Sequence, residues 1–565
     1  MSAHTIMNIK DFYKDQLNCW ELAKKNYSDL ANVKVKPLVL SNGACIKVQC
    51  NPARIVSTGA KIDKAAIAKR PCFLCDKNRP TEQKSLEFCC NFYETKTATL
   101  AKLDHFHLLV NPFPILPVHF TIPSKQHELQ QIKPYFPIML DFVEENSDFC
   151  VFYNGPRSGA SAPDHMHFQA GLVKDVPFYS QESLYWIGAC LTIKNADKQK
   201  VIEEFYRIYD ALPIPTGEHE PMFNVFARKN GDIFEVTIFL RSQHRPACYG
   251  IENGKRLVSP GALDMAGLLI TPRLEDFETL SAAEVEAIYN EVSAPEILDY
   301  LNYNLKHEGR KISVGLLETS NEIKFAFNGE YKKLQLLDDT IFIPTNDDST
   351  FTIENVVIGV NFHWQQKRRL TYSGILKLTK TPEGKNVAIN ILPIEDYLKS
   401  VISSEMSAMS DKELLKAHAI LSRSWLIANI EGIHNEQCSD SEGLVWYDRS
   451  AHTIYDVCAD DHCQRYQGVT MQTSPLVEEA VEETRGKVLT YDGKVCDARF
   501  SKCCGGKSEK YEFCWDNTPH PYLVSIDCPF CNTSEQFETK EEEQKVLLQV
   551  LNDYDLETQN FYKWT

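Results

Sequence analysis

The pentad His165-Met166-His167-Phe168-Gln169 sets two imidazoles and an amide at alternate positions. In an extended chain residues two apart point to one face. The three polar groups therefore share a surface, with Met166 and Phe168 on the other. An imidazole can attack a phosphorus atom and an amide can hold a non-bridging oxygen, so two imidazoles and an amide at this spacing suit phosphoryl transfer. The loop before it, residues 154–161, is rich in small residues that let a backbone approach a phosphate closely, with Asn154 and Ser161 as candidate substrate contacts. Taken alone, the pentad equally fits a surface strand or an incidental metal pair.

A second candidate is a carboxylate. Glu405 follows Tyr397 and Val401 and precedes Met406. Ser410 and Glu413 have capping-box spacing and open a helix through about Asn429, with Leu414, Ala417, Leu421 and Trp425 on its buried face. Glu405 then sits between two helices, where an apolar neighbourhood would raise its pKa. A solvated residue at a helix end has the same pattern.

The elements that must position these groups belong to more than one core, because 565 residues exceed what a single core sustains. Apolar runs over residues 222–228 and 233–241 flank Asn230-Gly231, which predicts a hairpin. Arg241, Arg245 and Arg273 fall near the strand ends, where Arg241 or Arg245 is either a phosphate grip or an ordinary surface arginine. Ser281 and Glu284 form a capping box that opens a helix running to about Leu305. From Ile312 the pattern becomes short alternating strands, so the expected domains are 1–307 and 308–565. Whether residues 180–215 form an inserted helical pair is left open.

Hydrophobic content of 43% and charged content of 24% are those of an ordinary globular protein. The formal net charge of −17 disfavours nucleic acid and anionic membrane surfaces as partners. No apolar run is long enough to predict a membrane span. The first residues lack the basic and apolar regions of a secretory signal, and the 19 cysteines read as reduced thiols and metal ligands, so the expected compartment is the cytoplasm.

Two resemblances bear on these residues. Asn111 and Pro114, then His119, His127 and the pentad, with Cys72 and Cys75 upstream, resemble the histidine-triad superfamily in its galactose-1-phosphate uridylyltransferase and nucleotide-phosphorylase branch. Met166 stands where the uridylyltransferases usually have Pro, which favours the phosphorylase side. The resemblance implies an α+β fold with a duplicated antiparallel sheet, His167 as nucleophile, Gln169 as stabiliser of a nucleotidylated intermediate, and His119 in the substrate site. It implies a sugar nucleotide as substrate, phosphate or a sugar 1-phosphate as acceptor, and a homodimer. It also implies a structural metal held by Cys72, Cys75, His127 and His165, zinc by donor type, with iron accepting the same ligands.

Tyr397, Val401, Glu405 and Met406, followed by Ala417, Ala419, Arg423 and Ser424, resemble the SpoIID/LytB family of lytic transglycosylases, an α+β domain. That implies Glu405 as a single general acid and base acting on an amino-sugar glycan, and Arg423 in the substrate site. A lone carboxylate suffices where the sugar's own 6-hydroxyl is the nucleophile. A second metal set maps to His452, Cys458 and Cys463, with buried free thiols as the other reading. Cys528 and Cys531 form a further C-x-x-C without a defended partner pair. The chain thus reads as a bifunctional carbohydrate enzyme, or as a nucleotidyltransferase carrying a glycan- or partner-binding module.

Overall fold

The computed structural model describes residues 8–59, 67, 69–87, 105–180, 186, 188–307, 309–360, 365–431, 452–472, 474–501, 504–514 and 519–529. Cys531 lies outside them. The chain divides into two compact units, Met1–Lys306 with Leu334–Asp338, and His307–Lys333 with Asp339–Thr565. Among the described residues no helix is long and apolar enough to cross a membrane.

The first unit is α+β. Its strands are β1 (Lys34–Val39), β2 (Cys45–Cys50), β3 (Ser85–Glu87), β4 (His107–Val110), β5 (His119–Pro123), β6 (Phe149–Asn154), β7 (His167–Leu172), β8 (Cys190–Asn195), β9 (Phe223–Asn230), β10 (Ile233–Leu240) and β11 (Leu268–Thr271). Eight of them form one sheet in the order β3-β4-β5-β7-β6-β9-β10-β8, antiparallel throughout. The order gives five strands to the segment that carries the pentad and three to the segment after it. β6 reads Phe-Cys-Val-Phe-Tyr-Asn and is buried at every position, the continuous apolar run of a strand covered on both faces. β9 and β10 pair Asn230 with Ile233 around Gly231 at φ +58°, a left-handed turn that glycine adopts without steric cost. Residues 190–211 supply a strand and the helix Lys198–Ala211 rather than a helical pair.

The capping box at Ser281 forms as expected, with its side chain accepting from the Glu284 N–H. The helix nevertheless stops at Ser293 and a second one runs over Glu296–Lys306. Ala294 sits at φ +34° immediately before Pro295, which lacks the N–H and disfavours a helical neighbour.

In the second unit the strands Asp339–Pro344, Ile375–Lys380, Asn386–Pro393, Lys311–Thr319 and Val457–Cys458 lie side by side in that order. Their pairs are antiparallel except the last. The helices Ile394–Ile402, Lys412–Ile430 and Pro475–Glu483 share its apolar core with Ile312, Val314, Ala388 and Leu392. The long helix is capped by Asp411, one residue after the expected Ser410, and its buried side carries Leu415, Ala419, Ser422 and Leu426. Of the expected stripe Leu414, Ala417, Leu421 and Trp425, Trp425 is buried as expected, whereas Leu414 is 48% exposed and Ala417 is exposed, so the buried face is shifted by one residue. The sequence pattern contains both series, and tertiary packing selects the one one step along.

Candidate functional site

β7 begins at His167, and its neighbours β5 and β6 hold it on both sides. Gln130 braces its start, with Oε1 accepting the His167 N–H at 2.8 Å and Nε2 donating to the carbonyls of Asn154 and His167. His167 Nδ1 donates to the His165 carbonyl at 2.8 Å. That bond fixes the tautomer and leaves the Nε2 lone pair for chemistry, since Nε2 has no hydrogen bond among the described residues. Burial pulls the His167 imidazole down to about 4, against the His165 carbonyl, so the ring is neutral at pH 7.

Gln169 Oε1 accepts from His119 Nε2 at 2.8 Å, while His119 Nδ1 accepts the Ile115 N–H at 3.2 Å. With both ring nitrogens committed and no solvent exposure, His119 holds Gln169 from behind. Burial holds it neutral, down to about 3. Asn154 Oδ1 accepts the Ala262 N–H at 2.7 Å and a proton from Asn224 Nδ2 at 3.2 Å. It latches the loop to the second segment. Ser161 lines a small cavity with Gln169. Arg241 is fully buried, and its guanidinium donates to Val292, Pro260, Gln243 and His244 carbonyls and to Asn224 Oδ1. Five bonds exhaust its donors, so the structure corrects the expected phosphate grip: Arg241 organises backbone instead.

Cys72, Cys75, His127 and His165 converge, with all four ligand atoms within 4.8 Å of one another. Cys72 Sγ lies 3.3 Å from His165 Nδ1, and Cys75 Sγ lies 3.5 Å and 3.2 Å from His165 Nδ1 and His127 Nδ1. Tetrahedral zinc separates sulfur and nitrogen ligands by about 3.6 Å, given bonds of about 2.1 and 2.3 Å. His165 Nε2 donates to the Ser124 carbonyl at 2.8 Å, which leaves Nδ1 for a metal. The donor set therefore fits. Cys72, Cys75 and His127 also wall a cavity of about 830 Å³ with Arg70, Arg157 and Asp164.

In the second unit Glu405 sits in a π-helical turn, Ser403–Ser407, between two helices. A π turn is frequent at functional positions because it re-aims a side chain. Glu405 Oε1 accepts the Arg465 N–H at 2.7 Å. Arg465 follows a second cluster, His452, Cys458, His462 and Cys463, whose ligand atoms also lie within 4.8 Å of one another. Cys463 Sγ is 3.4 Å from His452 Nε2 and 3.5 Å from His462 Nδ1. His462 is the ligand that spacing alone missed; its signal is the adjacent His-Cys pair. Arg423 is 1% exposed and grips Glu395 with two bonds, at 2.6 Å and 3.1 Å, while donating to the Lys487 carbonyl. It fastens two helices and, with Glu395 and Arg485, lines a cavity of about 360 Å³.

Residues 12–172, which include the pentad, match the model of a domain of unknown function (DUF4922), and residues 382–491 match that of the stage II sporulation protein family, SpoIID. Stage II sporulation protein D of Bacillus subtilis is 28% identical over 153 residues, covering 27% of this chain and 43% of that protein. An uncharacterized protein of Brachyspira hyodysenteriae is 27% identical over 246 residues, covering 43% of this chain and 57% of its own. The chain thus spans about half the length of these relatives. The yeast Ap4A phosphorylase Apa2 in complex with AMP is 14% identical with a TM-score of 0.35, covering 50% of this chain and 96% of that one. The carboxy-terminal part of the chain carries a SpoIID-family domain, over residues 382–491.

Proposed function

We propose that the first unit is a nucleotidyltransferase or phosphorylase that works through a nucleotidyl-His167 intermediate. The observation that carries this reading is the committed tautomer of His167, with Nδ1 donating to a carbonyl and Nε2 left over, two residues from Gln169. Nε2 attacks the α-phosphorus of a sugar nucleotide, a P–N bond forms, and the P–O bond to the sugar phosphate breaks. Phosphate or a sugar 1-phosphate then displaces the imidazole, restoring the P–O linkage and the free ring. Gln169, held by His119, donates its amide N–H to a non-bridging oxygen. Zinc held by Cys72, Cys75, His127 and His165 would supply rigidity, fixing the residues just before His167.

For the second unit we propose a glycan-cleaving role with Glu405 as general acid and then base. It protonates the glycosidic oxygen, and then takes the proton of the sugar's 6-hydroxyl as a 1,6-anhydro ring closes. A second zinc, at His452, Cys458, His462 and Cys463, would steady the segment whose Arg465 N–H binds Glu405.

Phosphate-dependent cleavage of UDP-, GDP- and ADP-sugars by wild type and His167→Ala tests the first reading. Covalent labelling from one α-labelled nucleotide, acid-labile and absent in the variant, is the expected result. No label with any nucleotide, in protein that retains its metal, overturns it. For Glu405, anhydro-sugar product from amino-sugar glycans is expected with wild type and not with Glu405→Gln. Binding without product from wild type would mark a binding module instead.

A further inference from the structure

The segment that joins β6 to β7 is tied down at three successive carbonyls. The Gln130 N–H donates to the Pro163 carbonyl at 3.3 Å, and the His165 N–H to that of Ala162 at 3.2 Å. The third, Ser161, accepts from Arg70 Nη2 at 2.8 Å. The same Nη2 lies 3.4 Å from Asp164 Oδ1, with the Arg70 and Asp164 side chains 28% and 18% exposed. Arg70 Nε is buried with no hydrogen-bond partner among the described residues, so the grip on the segment comes from Nη2. Arg70 precedes Cys72 by two residues, and its guanidinium lies 5.6 Å over the ring of Phe73, between Cys72 and Cys75 in the chain.

Asp164 faces the Cys/His cluster with its other oxygen. His127 turns Nδ1 toward Cys75 Sγ at 3.2 Å, which leaves Nε2 as the outward nitrogen, 3.9 Å from Asp164 Oδ2. A metal-ligating imidazole gives its second N–H to an acceptor, which fixes its tautomer and ring orientation and strengthens it as a ligand. His165 meets that need with the Ser124 carbonyl. Asp164 is the carboxylate placed to do the same for His127. His165 follows Asp164 directly, and its own carbonyl accepts from His167 Nδ1. The stretch 161–165 thus carries the fastening point for Arg70, the carboxylate beside His127, one ligand of the cluster, and the acceptor that sets the His167 tautomer.

We infer that Asp164 and Arg70 are positioning residues that couple the Cys72, Cys75, His127 and His165 cluster to His167. Asp164 accepts the His127 Nε2 proton, and Arg70 holds that carboxylate and the Ser161 carbonyl in one grip. The ordering of the cluster and the setting of His167 are then one event. The effect on His167 rests on the nucleotidyl-transfer reading above; the effect on metal affinity does not.

Cobalt(II) titration of the metal-free full chain against a competing chelator tests it, read by the thiolate-to-cobalt absorption band. A Cys458→Ser, Cys463→Ser background confines cobalt to the first cluster, and thermal unfolding checks folding. Asp164→Ala is expected to lose about tenfold or more in cobalt affinity. Arg70→Gln should lose about threefold or more, and the double variant should lose less than the product of the two single losses, because Arg70 holds the carboxylate that His127 uses. Unchanged affinity in Asp164→Ala, or losses that multiply in the double variant, overturns the coupling. If either variant does not fold, Asp164→Asn and Arg70→Lys are judged by the same criteria. In the metal-saturated variants the rate of His167 labelling at saturating nucleotide should fall about tenfold with the half-saturating concentration unchanged. Normal labelling kinetics beside weakened cobalt binding overturns the link to His167. No labelling in wild type sinks the transfer reading alone, since the cobalt titration still decides the metal arm.

Discussion

At the scale of the residue, hydrogen bonds separate groups free to react from groups already engaged. His167 spends one nitrogen on a carbonyl and keeps the other, whereas His119 and Arg241 have spent theirs. His119→Ala is expected to lower kcat of nucleotidyl transfer by one to two orders of magnitude with little change in KM, because Gln169 loses its orientation and not its amide. A proportional rise in KM would instead put His119 in contact with substrate. Arg241→Met is expected to cost about 3 kcal/mol of stability by stranding buried carbonyls, while the folded fraction keeps its KM. Denaturant titration with steady-state kinetics checks both halves of that statement.

At the scale of the element, a buried carboxylate couples β6 to the loop before the helix Phe136–Glu145. Glu220 accepts from Tyr153 Oη at 2.5 Å and from the Ile132 N–H at 3.0 Å, and burial pushes its pKa up to about 8. Unfolded, a Glu titrates near 4.3. Between these values the folded state holds a proton that the unfolded state has released. Glu220 therefore lowers stability as pH rises from about 4.3 to about 8, with a slope of about 1.4 kcal/mol per pH unit. Glu220→Gln should remove this slope, leaving stability near wild type at pH 5 and above it at pH 8. Urea denaturation at three pH values reads the difference, and an unchanged slope would exclude Glu220 as its source.

At the scale of the whole chain, each unit has its own apolar core and its own Cys/His cluster. Elemental analysis is expected to find two metal equivalents per chain. Cys72→Ser with Cys75→Ser should remove one, and Cys458→Ser with Cys463→Ser the other. Each pair should weaken thermal stability of its own unit while the other unit keeps its transition. Retention of two equivalents in either double variant would exclude that cluster as a site.

The residues that can do chemistry were legible in the sequence, because reactivity belongs to side-chain type and local spacing. Asn230-Gly231 gave the hairpin and Cys72 with Cys75 a candidate metal half-site, whereas the single strand face expected for 165–169 is divided by the fold, since β7 begins at His167 and leaves His165 outside it. The split of the 281–305 helix was also written there, in Pro295. What tertiary structure alone decided was which polar groups remain available. Arg241 looks like a ligand contact along the chain, yet its five donors are consumed by carbonyls and an amide oxygen, several from remote segments, while Arg423 and Asn154 spend part of theirs on a carboxylate and a backbone N–H brought in by folding. His462 gains meaning only through neighbours brought by folding. Hydrogen-bond capacity is finite and is allocated by long-range packing, which no local pattern encodes.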